Sequence, residues 1–315
     1  LTDSIETAYT EGGGAAFVLL YVLMTLTLGI PLMLAEFGLG RRGQLTPIGA
    51  LRRLAGRGWS RVGYVFVIGG GLILSYYSVI AGWTVRYAID SLWHGFPGDS
   101  GTHFGQVASG GGAIAFHLGF MTATIVIVMA GIKSGIERVA FVLMPALFFI
   151  VIGLALWAFT LDGAGAGYAV YLQPDLDELM NPTVWRAAAA QAFFSLSLGM
   201  GAMLTFASYL GKDQDLPAAA TIVAFTDFSV AFIAGLVVFP VIYSLGPQGA
   251  VSQSTVGALF IALPGAFEQM GAVGRVVGLF FFVALAVGAI TSTIALLEVV
   301  AASVIDEFGI SRRAA

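Results

Sequence analysis

The stretch Gln191-Ala-Phe-Phe-Ser-Leu-Ser-Leu-Gly-Met-Gly-Ala-Met-Leu-Thr-Phe-Ala-Ser-Tyr-Leu210 decides how the rest of the chain is read. It is apolar and long enough to cross a bilayer, which takes about 20 residues. Its centre is weakened, however, because Gly199 and Gly201 are poor helix formers and Ser195 and Ser197 stand just before them. At that depth no water reaches the backbone, and each N–H or C=O left facing lipid costs several kcal/mol. Broken backbone survives there only when it is buried in protein or lines a polar cavity. Gly199 and Gly201 therefore read as the hinge of a broken helix, with a binding site around them. The same small residues would also serve as a face for close helix packing, and spacing alone leaves both readings open.

Composition places that segment in a membrane. The 315 residues are 58% hydrophobic and only 10% charged, with 42 glycines, and mean hydropathy is +0.92. A soluble globule of this length needs far more polar surface, so the class is a polytopic membrane protein. The net charge of −4 is small and scattered, and no nucleic-acid partner is expected. There are no cysteines, which excludes disulfides and thiolate metal sites, and His94, His103 and His117 are isolated in sequence. An intramembrane protease would need a Ser–His or Asp–Asp pair; a single deep carboxylate argues against an enzyme.

Outward from the broken segment, spans are expected at about 13–39, 62–93, 113–131, 136–161, 184–210, 218–245 and 273–304, seven in all. Between the first two, residues 44–61 carry Arg52, Arg53, Arg57 and Arg61 beside a short apolar run and read as an amphipathic helix on the interface. Residues 95–112 and 162–183 read as loops, the second extracellular, and 256–270 as a short apolar piece. Alternation of seven spans puts Lys and Arg at 41, 42, 52, 53, 57, 61, 133, 138, 212, 312 and 313 on one side. That side is expected to be cytoplasmic, and Ala315 with it, in a multi-pass protein of the cell membrane. The polar start, Leu1 to Glu11, has no initiating Met and no signal peptide, so the chain reads as a fragment preceded by a further helix.

Three polar sites fall inside spans. Asp227, in Phe225-Thr-Asp-Phe-Ser-Val230, is a functional candidate because a charge at that depth must be paired or kept protonated. In Gly288-Ala-Ile-Thr-Ser-Thr293, the hydroxyls of Thr291 and Ser292 follow a glycine by one turn and offer, with its carbonyl, hard oxygen ligands for an alkali cation. Ordinary bonding of those hydroxyls back to the helix explains them equally well. Glu36 and Glu298 lie nearer span ends and are expected to be interfacial or paired with the cytoplasmic arginines.

Phe193-Phe-Ser-Leu-Ser-Leu-Gly-Met-Gly201, with Gly12-Gly-Gly-Ala, Gly29-Ile-Pro, Glu36-Phe-Gly-Leu-Gly40, Tyr76-Tyr77 with Trp83, Gly135-Ile-Glu-Arg138 with Met144-Pro145, Leu263-Pro264 and Thr291-Ser292, resembles the neurotransmitter:sodium symporter family. The resemblance runs from about Tyr9 to the end in the right order and spacing. It implies an all-α polytopic transmembrane bundle with the LeuT-like inverted-repeat fold, truncated to the family's helices 2 to 8. Residues 1–315 would then form a single transporter domain, with 12–161 as helices 2–5, 184–308 as helices 6–8 and the 162–183 loop between.

The resemblance further implies a sodium-coupled symporter for a neutral, hydrophobic amino acid or related small amine, with sodium co-transported and no organic cofactor. Phe194 is similar to the family's lid over the substrate and Tyr77 to the hydroxyl holding its carboxylate. Ile73, Ser197, Met200 and Leu296 match the side-chain pocket, with Ser195 and Ser292 also at the substrate. Ser195 and Asp227 match one sodium site, and Gly288, Thr291 and Ser292 the other. Because Asp227 stands where chloride-dependent members carry Asn, and position 231 is Ala, chloride is not expected to be required. Leu1 to Glu6 do not match the Asn-x-x-Arg-Phe-Pro segment expected before the glycine triplet. The alternative is a binding or sensing membrane protein that keeps the site without coupled transport.

Overall fold

In the computed structural model the described residues are 14–96, 99–211, 213–245 and 255–315. Leu1–Glu6, Gly12, Gly13, Lys212 and residues 246–254 lie outside them. Every regular element among the described residues is helical, as a hydrocarbon environment requires of chain segments that must pair their own backbone groups. Six helical stretches are long and apolar enough to cross a membrane: Gly14–Gly43, Arg57–Trp93, Gly110–Met129, Ile132–Ala158, Leu216–Leu245 and Ala272–Phe308. We label the helices α1 (Gly14–Gly43), α2 (Pro47–Ala55), α3 (Ser60–Trp93), α4 (Ser100–Val107), α5 (Gly110–Met129) and α6 (Arg138–Ala158). They are followed by α7 (Ala164–Leu172), α8 (Pro182–Ser195), α9 (Ala202–Ser208), α10 (Leu216–Leu245), α11 (Leu263–Gln269) and α12 (Ala272–Phe308). The seventh expected span is the pair α8 and α9, separated by the turn at 196–201.

The outer surface is apolar in the way lipid demands. Phe141 and Phe149 on α6 are 82% and 76% exposed, which is costly in water and favourable against acyl chains. The inner packing depends on glycine. α3 and α12 run antiparallel in close contact: a Cβ on Gly71 would meet Val300, while at the other end the Ser91 hydroxyl donates to the Arg275 carbonyl at 2.7 Å. An aromatic cluster of Tyr87, Phe96, Phe260, Phe267, Phe281 and Phe282 fills that end of the bundle, and the Tyr87 hydroxyl donates to the Phe260 carbonyl at 2.8 Å.

Two segments read as loops contain helices. Within 95–112 lies α4, capped by Asp99, whose carboxylate accepts from the Thr102 N–H at 2.8 Å. Within 162–183 lies α7, whose Tyr171 stacks on Phe239 of α10 and donates to the Phe232 carbonyl at 3.1 Å. Both are rich in glycine, which lowers helix propensity, and tertiary packing overrides it. The interfacial helix expected in 44–61 is α2, followed by the 3-10 turn Arg57–Trp59.

Candidate substrate and ion site

The helix ends where the sequence weakens it. After Ser195 the chain makes a tight turn, in which the N–H groups of Ser197 and Leu198 donate to the Phe194 and Phe193 carbonyls at 3.0 and 2.9 Å. Ser197, Gly199 and Gly201 then take positive φ values of 52°, 73° and 77°, a region that glycine enters without strain and other residues seldom visit. The helix resumes at Ala202, and Thr205 N–H donates to the Gly201 carbonyl at 2.9 Å.

A break of this kind frees N–H groups in the protein interior, and a carboxylate meets them. Gly199 N–H donates to Oε1 of Glu36 at 2.8 Å. Glu36 is 9% exposed. It reaches the turn because Gly40, one helical turn later on α1, packs directly on the Leu204 carbonyl, where a Cβ could not fit. The expectation that Glu36 pairs with an arginine is therefore corrected: Arg41 donates instead to the Gln214 carbonyl at 2.6 Å. Glu298 does take an arginine. It is fully buried, accepts from Arg312 through both oxygens and accepts from the Tyr209 hydroxyl at 2.7 Å.

Two oxygen clusters flank the break. On one side the Ser195 hydroxyl donates to Oδ2 of Asp227 at 2.6 Å, and the Tyr21 hydroxyl donates to the same oxygen at 2.9 Å. α1, α8 and α10 thus converge on one carboxylate, with Gln191 buried one turn before Ser195. On the other side, Thr291 and Ser292 both donate to the Gly288 carbonyl, at 2.8 and 3.2 Å. The back-bonding allowed by the sequence is present, and each hydroxyl oxygen keeps lone pairs for a further partner. Among the described residues no group of three or more His, Asp or Glu is placed to hold a metal ion.

Between these clusters lies mixed surface. A Cβ on Gly70 of α3 would stand 3.3 Å from the Met200 carbonyl and 3.8 Å from Leu296, which brings α3 against the break and α12 together. Ile73, Phe194, Ser197 and Met200 are half-buried, Leu296 is buried and Ser292 is exposed. Tyr77 packs against the cluster of Ala81, Phe120 and Ala289. Tyr21 and Gln191 were not among the sequence candidates, and Glu36 was expected at the interface or on an arginine. A signal existed for Gln191, which precedes Ser195 by four residues and shares its face; for Tyr21 none did.

The sequence matches the family described as "Sodium:neurotransmitter symporter family" over residues 6–109 and 103–315. The chain belongs to this family. Its members are transporters rather than enzymes. An uncharacterized sodium-dependent transporter of Methanocaldococcus jannaschii is 36% identical over 98% of this chain and 65% of its own length. A second, from Bacillus subtilis, is 37% identical over 94% and 66%. A sodium-dependent nutrient amino acid transporter of Drosophila erecta is 26% identical over 96% and 58%. The chain spans just under two thirds of the length of its archaeal and bacterial relatives. Among solved structures, the crystal structure of MhsT in complex with L-phenylalanine superposes with a TM-score of 0.88 at 40% identity, covering 99% of this chain and 71% of that one. The LeuT-like fold and the multi-pass membrane class expected from the sequence are thereby established.

Proposed function

We propose that this chain forms the central helices of a sodium-coupled symporter for a neutral, apolar amino acid or related small amine. The observation that carries this reading is the broken turn at 196–201, held between two oxygen clusters and an apolar wall from α3 and α12. A hydroxyl at Tyr77 and the backbone N–H groups around the break suit a substrate carboxylate, since half-helix ends aim their dipoles at such groups. Ile73, Met200 and Leu296 suit an apolar side chain, Ser197 borders it, and Phe194 stands ready to cover it.

Sodium is cargo here and asks only for hard oxygens. Ser195 with Asp227, and Gly288 with Thr291 and Ser292, supply them in two places. Asp227 also supplies charge: at about 4 Å and an effective dielectric of roughly 20, a carboxylate and a cation attract by about 4 kcal/mol. That is why chloride is not needed. The basic end of the bundle, with Arg52 and Arg312, is cytoplasmic in this reading. The amino-acid and L-phenylalanine assignments carried by its relatives support the substrate class.

The test is competition for sodium-dependent binding by the protein in its full natural length. Leucine, methionine, phenylalanine or tryptophan is expected to displace label, while lysine and glutamate are not, because an unpaired charge against the apolar wall costs several kcal/mol. Better displacement by lysine or glutamate would overturn the pocket assignment.

A further inference from the structure

α5 turns one narrow stripe inward. Its buried residues are Phe120, Thr124 and Val128, spaced four apart and so stacked on one side of the helix. Phe120 shares an apolar cluster with Ala289 of α12, and Val128 shares another with Ile294. Between these two layers the contact is polar. The hydroxyls of Thr124 and Thr293 stand 3.2 Å apart, and neither residue has any exposed surface. Burial of this kind does not depend on what else packs around the described helices.

Each hydroxyl carries one hydrogen. The Thr124 oxygen also lies 3.0 Å from the Phe120 carbonyl and the Thr293 oxygen 3.0 Å from the Ile290 carbonyl, so one hydrogen crosses between the helices while the other returns to its own. Apolar layers are non-directional and permit a helix to roll about its axis; a hydrogen bond is directional and opposes it. What this bond fixes is the aim of α12. Thr293 directly follows Thr291 and Ser292, and at about 100° per residue the midpoint of that pair lies about 150° around the helix from Thr293. The tie to α5 and the two hydroxyls on the Gly288 carbonyl therefore stand on nearly opposite sides of α12. At about 5 Å from the axis, a roll of about 10° moves a side-chain oxygen by about 1 Å, roughly twice the displacement of about 0.5 Å that a preorganised site tolerates.

We infer that Thr124 is a positioning residue for sodium: its hydroxyl holds the roll of α12 and thereby keeps Thr291 and Ser292 directed at the cation. The inference rests on the sodium site proposed above and extends it to a side chain on a different helix that touches neither cargo. Thr124→Val removes the tie with little change of shape, and the Thr293 hydroxyl keeps the Ile290 carbonyl as its acceptor, so no buried donor is stranded.

The experiment measures binding of radiolabelled sodium to the protein in its full natural length, with the melting temperature in sodium-free potassium as the record of the fold. Thr124→Val is expected to raise the half-saturating sodium concentration about ten-fold, the scale on which groups behind a metal's ligands act. Thr124→Ser keeps the hydroxyl and is expected to stay near wild type. Placed on top of Thr291→Val with Ser292→Ala, Thr124→Val is expected to add nothing, because no ligand hydroxyl remains for the roll to misplace. A merely structural role would give additive losses. If wild type binds sodium and the Thr291/Ser292 variant weakens it, an unmoved half-saturation in Thr124→Val, or a lower melting temperature as its only effect, would overturn the inference and leave the sodium site standing. Wild-type protein that binds no sodium, or binding unmoved by the Thr291/Ser292 variant, would instead overturn the sodium site, and the inference with it.

Discussion

Asp227 is the residue on which the proposed ion requirement rests. Its Oδ2 receives two hydroxyl hydrogen bonds, from Ser195 at 2.6 Å and Tyr21 at 2.9 Å. In the function proposed above, the Asp227 carboxylate supplies beside sodium the negative charge that a mobile anion would otherwise bring. We expect uptake by the wild-type protein to survive replacement of chloride by gluconate at fixed sodium, and Asp227→Asn to abolish uptake or make it respond to added anion. A large loss of wild-type activity in gluconate would contradict this, whatever the mutant does. Glu36 is a carboxylate with a different task. Its partner is backbone, the freed N–H of Gly199. Glu36→Leu leaves that buried donor unmatched at about 1–3 kcal/mol, whereas Glu36→Gln keeps an acceptor. The full-length protein should therefore melt lower with leucine than with glutamine at this position, and equal melting temperatures would show that the carboxylate does not hold the turn.

At the scale of elements, the broken pair α8 and α9 was legible because Gly199 and Gly201 interrupt an apolar run at spanning depth. The helix bounds fell within a few residues of expectation for the same reason: hydropathy reports where chain meets lipid. Hydropathy does not report what packs on a glycine-rich segment, so α4 and α7 read as loops. It also put Glu36 near a span end and missed its place at the turn, because the contact joins residues 163 positions apart. α9 is tethered at its far end by Tyr209, whose hydroxyl donates to Glu298 at 2.7 Å, and Glu298 in turn takes Arg312. Removing the arginine strands a fully buried carboxylate. Arg312→Ala is expected to destabilise the protein by about 3–5 kcal/mol, read as a fall in melting temperature, and a change within error would mean that water already reaches Glu298.

For the whole molecule, the fold brings the candidate site residues together by crossing helices rather than by a single motif. α1, α8 and α10 meet at Asp227, while α12 brings Gly288, Thr291 and Ser292 from about 60 residues further on; sequence located those residues individually, and only the packing shows that Tyr21 stands with the first group. The two clusters flank one break, and that arrangement makes coupling the central claim. It is tested most directly by reconstituting the full-length protein in liposomes and measuring uptake of labelled L-phenylalanine under an inward sodium gradient, against equimolar potassium, for wild type and for Thr291→Val with Ser292→Ala. The account predicts uptake that requires sodium, and a higher half-saturating sodium concentration in the variant with its fold intact. Uptake equal in sodium and potassium, or a sodium dependence unmoved by the double substitution, would contradict it.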